Sequence, residues 1–515
     1  MEISAWIDYW AGWTPDKTAL RFERSSVSYR ELEERISRTA GSLRARGVDR
    51  GDRVAYLGPN CPELLELFFA CARIGAIFVP LNARMPAAEL RVFIDKSEPR
   101  LVVAADGLHS VAIASAPHLS QEAIVVFVAG ESLPATGSNA VRADHEADPD
   151  APVLIAFTSG TTGTPKGAVH TNAGIISNAL DAVAGLEISS RDETLVVLPM
   201  FHVAGLNILT SPALSAGATV TVHRRFDAAA ALGDIERFGV TLFLATPPMT
   251  LAMTTEPAWA TTDFRSMRAQ LVGGTVVTDE AIRPWRERGV RVVQGYGMTE
   301  VGPVATLVPL PDVPRKSLTA GKPTLHTHIR IVDRAGNDLP SGESGEVLMR
   351  SPSVATGYWR NPEATRDAIP DGWFHTGDLG FLDEDGFLHI VDRIKEIIIV
   401  GVSNVYPGDV EAVLAASPDI AEASVVGLPD PELGEVPVAF IVRAPGASLT
   451  EREALALFDG RLAPYKHPRH VIFVDEVPRT AVGKIEKTAL RALARSRLLG
   501  ERDDQLPLEP QLDAS

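Results

Sequence analysis

Between "RVAYLG" (53–58) and "VRVVQGYG" (290–297) one pattern keeps returning: a short continuous apolar run that empties into a loop of small or polar residues. "AIFVPL" (76–81), "LVVAAD" (101–106), "AIVVFV" (123–128), "VLIAFTSG" (153–160), "TLVVLPM" (194–200), "TLFLATPP" (241–248) and "AQLVGG" (269–274) follow it, and "ATVTVH" (218–223) reads as a further strand running into a loop. Runs apolar throughout, rather than alternating, suit strands buried on both faces, which is the situation of a parallel sheet covered by helices. Amphipathic stretches lie between them. In "SYRELEERISRTAGSLRARG" (28–47), Ser28 and Glu31 form a capping-box pattern, Leu32, Ile36, Ala40 and Leu43 recur at helical spacing, and Gly47 marks the stop. Strand–helix alternation of this kind predicts an α/β fold, with any site beyond the carboxyl ends of the strands.

The character changes near residue 320. "HIRIVD", "GEVLMRS" and "GFLHIVD" are short alternating strands separated by turn signals. Past 395 the expected order is helix (409–416), strand (421–426), strand (437–442), helix (449–462), strand (470–474), helix (485–496). The expected architecture is therefore a large N-terminal region over 1–394, made of two doubly wound sheets plus a small β section near 320–392. A small α+β domain over 395–500 follows, and the polar, proline-bearing 501–515 is expected to be disordered.

Composition narrows the partners. Lys plus Arg is 49 against 66 Asp plus Glu, a formal charge of −17, and such a chain repels nucleic acid and anionic lipid over long range. Cys61 and Cys71 are too few for a disulfide framework and read as buried thiols, in keeping with a reducing, cytoplasmic setting. The N-terminal "MEISAWIDYW" lacks a basic n-region, and "LDAS" at the other end matches no peroxisomal or retention address. The most apolar stretch, "LLELFFACARIGAIFVPL" (64–81), contains Glu66 and Arg73 and reads as a helix followed by a buried strand rather than a membrane span.

"TSGTTGTPKG" (158–167) sets glycines and hydroxyls after a strand and ends in a lysine and a glycine. Backbone N–H groups and hydroxyls in such a loop can wrap phosphate oxygens. It is not a Walker A loop, because Pro165 stands where the second glycine belongs. "PMFHVAG" (199–205), "QGYGMTE" (294–300), "GWFHTGDLG" (372–380), "DRIKEII" (392–398) and "PRTAVGKI" (478–485) follow it along the chain.

Taken together in this order, the six motifs resemble those of the adenylate-forming superfamily, which includes acyl-CoA synthetases, luciferases and adenylation domains of peptide synthetases. The resemblance covers nearly the whole chain and is nearest to the fatty-acyl and aryl-acyl-CoA ligases. It implies attack of a carboxylate on the α-phosphorus of ATP, release of pyrophosphate, and transfer of the acyl group from AMP to CoA. It also implies roles. Thr158, Ser159, Gly160, Thr161, Thr162, Gly163 and Lys166 would hold the β- and γ-phosphates. Glu300 would bind Mg2+ and Thr299 would touch the α-phosphate. Tyr296 would lie near the adenine, with Gly295 and Gly297 allowing close approach, and Asp378 with Arg393 would take the ribose. Lys484 would reach the α-phosphate and the bridging oxygen, on a small domain that rotates about Lys395 after the first half-reaction. His202 resembles a gate between nucleotide and acyl pocket, although a core histidine is the competing reading. Gly273 and Gly274 would line the acyl pocket.

One residue departs from that pattern. In "IVGVSNVYPGDVE" (399–411), Val402 occupies a position where relatives usually carry glycine, beside the expected path of the pantetheine arm. Either the valine points aside and CoA is the acceptor, or the path is narrowed and the adenylate passes to an amine, a carrier protein, or into nitrite activation for diazotisation in a natural-product pathway. In "LVGGTVV" (271–277), Thr275 and Val276 replace the usual pair after the glycines. The expected function is that of a carboxylate–CoA ligase, with a non-CoA acceptor as the alternative. A nucleotide-binding pseudoenzyme is disfavoured by the presence of both Lys484 and Glu300. Oligomeric state is left open.

Overall fold

The computed structural model describes residues 2–131, 133, 141–142, 148–158, 165–274, 277–400, 403–430, 433–459, 461–480 and 483–499. Ser159, Gly160, Thr161, Thr162, Gly163, Val402 and the tail 501–515 lie outside the described residues, as do Thr275 and Val276. The chain divides into two compact units. The first runs to Thr376 and includes Phe381–His389; the second takes Gly377–Gly380 and the chain from Ile390 onward.

The first unit is α/β, built on two large sheets. In the six-stranded sheet, Arg53–Leu57 lies parallel to Ile77–Leu81 on one side and Leu101–Ala105 on the other. Ile124–Phe127 extends that sheet at one edge, and the antiparallel pair Pro152–Thr158 and Lys166–Thr171 closes the other. In the nine-stranded sheet, Val292–Tyr296, Ala269–Val272, Leu242–Ala245, Glu193–Val196 and Thr219–Val222 run side by side and parallel. Thr18–Phe22, from the start of the chain, adds in parallel beside Thr219–Val222.

Burial explains the unbroken apolar runs. Val54 and Tyr56 enter one core cluster while Ala55 and Leu57 enter another. Leu242 and Leu244 join the first of these, whereas Phe243 and Ala245 face a third. Successive side chains of a strand point to opposite faces, so a sheet covered on both faces needs apolar residues at every position. The shared cluster also takes in the helices Tyr29–Ala45, Pro62–Ile74 and Asn172–Leu186, which are therefore packed with strands of both sheets.

The start of the first long helix is set by its cap. Ser28 Oγ accepts from the Glu31 N–H at 3.2 Å, and Glu31 Oε2 accepts from the Ser28 N–H at 2.8 Å. The stretch considered against a membrane span forms the helix Pro62–Ile74, buried all round, followed by the strand Ile77–Leu81. Among the described residues no helix is long and apolar enough to cross a membrane. Cys61 and Cys71 are buried free thiols, and burial raises the pKa of each.

A four-stranded sheet of His328–Val332, Gly345–Arg350, Phe374–Leu382 and Leu388–Arg393 forms the expected β section. In the second unit, Ile420–Asp430 and Gly434–Arg443 make a long antiparallel pair, with His470–Phe473 parallel to the latter. The hairpin of Ile398–Val400 and Ser403–Val405 had no counterpart in the sequence reading. The helix expected over 449–462 is regular only over Glu451–Ala456, where Thr450 and Glu453 form a capping box. Pro464 lies close behind it and opens a single 3-10 turn, Pro464–Lys466.

Candidate active site

The strands Pro152–Thr158 and Lys166–Thr171, which flank the nucleotide-loop candidate, pair antiparallel, with Thr158 opposite Lys166, Phe157 opposite Gly167 and Ala156 opposite Ala168. Lys166 is half-buried at the start of the second strand. Its Nζ lies 5.1 Å from the centroid of the Tyr358 ring. The Tyr358 hydroxyl donates to Glu300 Oε1 at 3.0 Å. A lysine and a carboxylate far apart in sequence are thus brought to one aromatic side chain.

The segment carrying Tyr358 is fixed by main-chain bonds. Trp359 N–H donates to Gly167 O at 2.7 Å, Val169 N–H to Gly357 O at 3.0 Å, and Ala355 N–H to Glu300 O at 2.8 Å. Burial, reinforced by the Glu300 carboxylate, pushes the Tyr358 phenol well above its ordinary pKa, so it remains a donor.

Carboxyl ends of neighbouring parallel strands supply the remaining residues of this unit. The strand Val292–Tyr296 leads into Gly297, Met298 and the 3-10 turn Thr299–Val301 that bears Glu300. Positions 294–300 are all half-buried, as residues at the rim of a cleft would be. A Cβ on Gly297 would stand 2.1 Å from Pro303 O, closer than any side chain can tolerate. One on Gly273 would stand 3.2 Å from Gly295 O, so the two glycine-bearing strand ends lie directly against each other. Gly274 follows at φ +86 and is exposed. His202 lies beyond the strand Glu193–Val196, its ring 4.6 Å from that of Phe201 and its carbonyl accepting from Leu206 N–H at 3.1 Å. The π-helix Ala204–Thr210 begins two residues later. Such helical bulges are frequent at functional sites.

His170, on the strand Lys166–Thr171, had no role in the sequence reading. It is 1% exposed, and burial pulls its pKa down to about 4 against the opposing backbone groups of Thr299 and Ser353. The imidazole is therefore neutral beneath the turn that carries Thr299 and Glu300.

In the second unit, Asp378 is buried and Arg393 Nε lies 2.9 Å from its Oδ1. Lys395 is exposed on the 3-10 turn Ile394–Glu396. Lys484 is exposed at the closing end of a pinned hairpin. Its carbonyl accepts from Thr480 N–H at 2.7 Å, Glu486 N–H donates to Pro478 O at 2.8 Å, and Arg479 bridges Ile485. Beyond it, the helix Lys487–Ala494 begins with Lys487 Nζ 2.9 Å from Glu396 Oε2 and 3.5 Å from Glu411 Oε1. Burial disfavours the Lys487 ammonium, but Glu411 and Glu396 outweigh that and hold its pKa above the ordinary lysine value.

Among the described residues no three His, Cys, Asp or Glu side chains cluster as a metal cage. A lone carboxylate fits Mg2+, which is commonly held by one or two carboxylates while substrate phosphates complete its shell.

The family model described as AMP-binding enzyme matches residues 7–359, and that described as AMP-binding enzyme C-terminal domain matches 409–484. Indoleacetate–CoA ligase of Aromatoleum aromaticum is 41% identical over 98% of this chain and 100% of its own length. Feruloyl-CoA synthase of an Amycolatopsis species is 39% identical over 95% of this chain and 98% of its own. ATP-bound MatB from Rhodopseudomonas palustris superposes with a TM-score of 0.88 at 31% identity, covering 96% of this chain and 100% of that one. Motif order, strand-end geometry and full-length similarity agree, and the chain belongs to the AMP-binding enzyme family of acid–thiol ligases.

Proposed function

We propose that this protein activates an aryl-substituted carboxylic acid and transfers it to CoA. The reaction class is that of an AMP-forming acid–CoA ligase, using ATP, Mg2+ and CoA. The aryl acid is suggested by the indoleacetate and feruloyl relatives. The observation that carries the site assignment is the meeting of Lys166 and Glu300 on Tyr358.

A carboxylate is a poor electrophile because its charge repels nucleophiles. Its oxygen attacks the α-phosphorus, the bond to the bridging oxygen breaks, and pyrophosphate leaves with that oxygen. The CoA sulfur then attacks the acyl carbon, its proton is lost, and AMP departs. The first step concentrates negative charge, so residues contribute mainly by position and electrostatics. Thr158, Lys166 and, between them in sequence, Ser159 to Gly163 are assigned to the β- and γ-phosphates, and Thr299 to the α-phosphate. Tyr296 with Gly295 and Gly297 is assigned to the adenine, and Asp378 with Arg393 to the ribose. Glu300 would hold Mg2+, which supplies charge neutralisation on the phosphates when bound. His202, Gly273 and Gly274 are assigned to the acyl side. Lys484 supplies a mobile cation for the first step, and Lys395 is the proposed pivot between a 1–394 domain and a 395–500 domain.

Incubation with ATP, Mg2+ and indole-3-acetate, ferulate or a long-chain fatty acid, with and without CoA, tests this reading. Aryl-CoA with AMP and pyrophosphate is expected; turnover of the fatty acid alone would contradict the aryl assignment. The second reading, a non-CoA acceptor, is favoured by the branched side chain of Val402 on the sequence. Val402→Gly raises CoA use if that valine obstructs the thiol, and unchanged kinetics removes the idea.

A further inference from the structure

We propose that Tyr358 is a positioning residue for the metal-binding carboxylate, its hydroxyl orienting Glu300 while its ring face seats Lys166. The proposal rests on the assignment of Glu300 to Mg2+ and Lys166 to the nucleotide phosphates. Nothing in the six sequence motifs points to this tyrosine, which lies between the third and the fourth of them in the stretch "ATGYWR" (355–360).

Three features of the geometry support it. First, the 3.0 Å bond from the phenol goes to one oxygen of Glu300, and a donor on one carboxylate oxygen fixes the plane in which the other can meet a cation. Second, the ammonium of Lys166 stands 5.1 Å from the ring centroid, within the range of a cation–π contact. Third, Tyr358 is itself held: its N–H donates to Thr365 Oγ1 at 2.9 Å, it bridges Ala168, and Arg360 close behind it adopts a positive φ of 51. Ala355 N–H on the carbonyl of Glu300 ties the backbone of the same two segments. Tyr358 therefore sets the separation between the cation assigned to the phosphates and the carboxylate assigned to the metal. With the ring in place the two charged groups are spaced before ATP arrives, which lowers the ordering cost of binding.

The two contacts separate by substitution. Tyr358→Phe keeps the ring and removes the donor; Tyr358→Leu removes both. Full-length protein is titrated calorimetrically with ATP in EDTA and with ATP in Mg2+. For Tyr358→Phe the expected result is unchanged binding of ATP in EDTA and a roughly tenfold loss of the Mg2+-dependent gain, the scale seen when a residue supporting a metal ligand is removed. Tyr358→Leu is expected to weaken binding in EDTA as well. Glu300→Gln is the control. If Glu300→Gln leaves the Mg2+-dependent gain intact, the assignment of Glu300 is wrong and the proposal falls with it. If Glu300→Gln abolishes the gain while Tyr358→Phe keeps it in full, the role of Tyr358 alone is overturned.

Discussion

Lys487 Nζ stands 2.9 Å from Glu396 Oε2, which links the residue after Lys395 to the first turn of the helix that follows Lys484. The contact is mostly buried, with 16% and 22% of the two side chains exposed, and Glu411 adds a second carboxylate at 3.5 Å. Lys487→Met leaves those carboxylates facing each other without a cation. The expected cost is about 2 kcal/mol, reduced from the fully buried case by the remaining exposure. Chemical denaturation measures it, and Lys487→Arg should recover most of the loss.

Lys484→Ala tests the division of labour between the half-reactions. Loss of a preorganised cation in the adenylating step is expected to slow acyl-adenylate formation by roughly a hundredfold or more. Thioester synthesis from a supplied acyl-adenylate should be nearly unaffected. Rapid-quench assays of each step separate the two, and equal loss in both would contradict the assignment.

Gly297→Ala is expected to be poorly tolerated. The added methyl carbon would meet Pro303 O at 2.1 Å, a main-chain atom that no rotamer change can move aside. A destabilisation of about 2 kcal/mol or more is the scale for forced overpacking. Gly274→Ala, where a Cβ meets nothing within 4 Å, pays only the strain of its positive φ of 86 and serves as the comparison. Thermal unfolding should rank Gly297→Ala below it.

Two buried groups should tilt stability against pH in opposite directions. His170 has its pKa lowered to about 4 by burial, so below its unfolded value of 6.5 only the unfolded chain takes up the proton. Its contribution is present above about pH 6.5 and is lost as the pH falls toward 4. Glu66 has its pKa raised to about 7 by burial and then by Glu63, with Arg35 opposing. Its contribution is present below the unfolded value of 4.5 and is lost as the pH rises toward 7. His170→Gln and Glu66→Gln should each flatten one of these slopes in urea denaturation measured from pH 4.5 to 7.5.

Local and strand-end features were legible in the sequence because their physics is local. Ser28 and Glu31 announce their helix through a capping box that needs no tertiary partner, and the apolar runs announce doubly covered strands. Asp378 and Arg393 were named from motifs and lie 2.9 Å apart. Tyr358 was not found, because its value comes from a bond to Glu300 across 58 positions, and an isolated tyrosine carries no spacing signal. His170 was missed for a related reason: a single histidine in "KGAVHT" carries no spacing signal, and its relation to the Thr299 turn arises only when the strand packs there. The pairing of Thr18–Phe22 with Thr219–Val222 joins distant parts of the chain, which periodicity cannot reveal.

The central chemical step is cleavage of ATP between its α- and β-phosphorus atoms by attack of the substrate carboxylate. Turnover of acid labelled with 18O in both carboxyl oxygens, followed by mass analysis of the nucleotide, tests it most directly. One 18O per AMP, with unlabelled pyrophosphate, is the predicted result. ADP as the spent nucleotide, or AMP free of label, would contradict it.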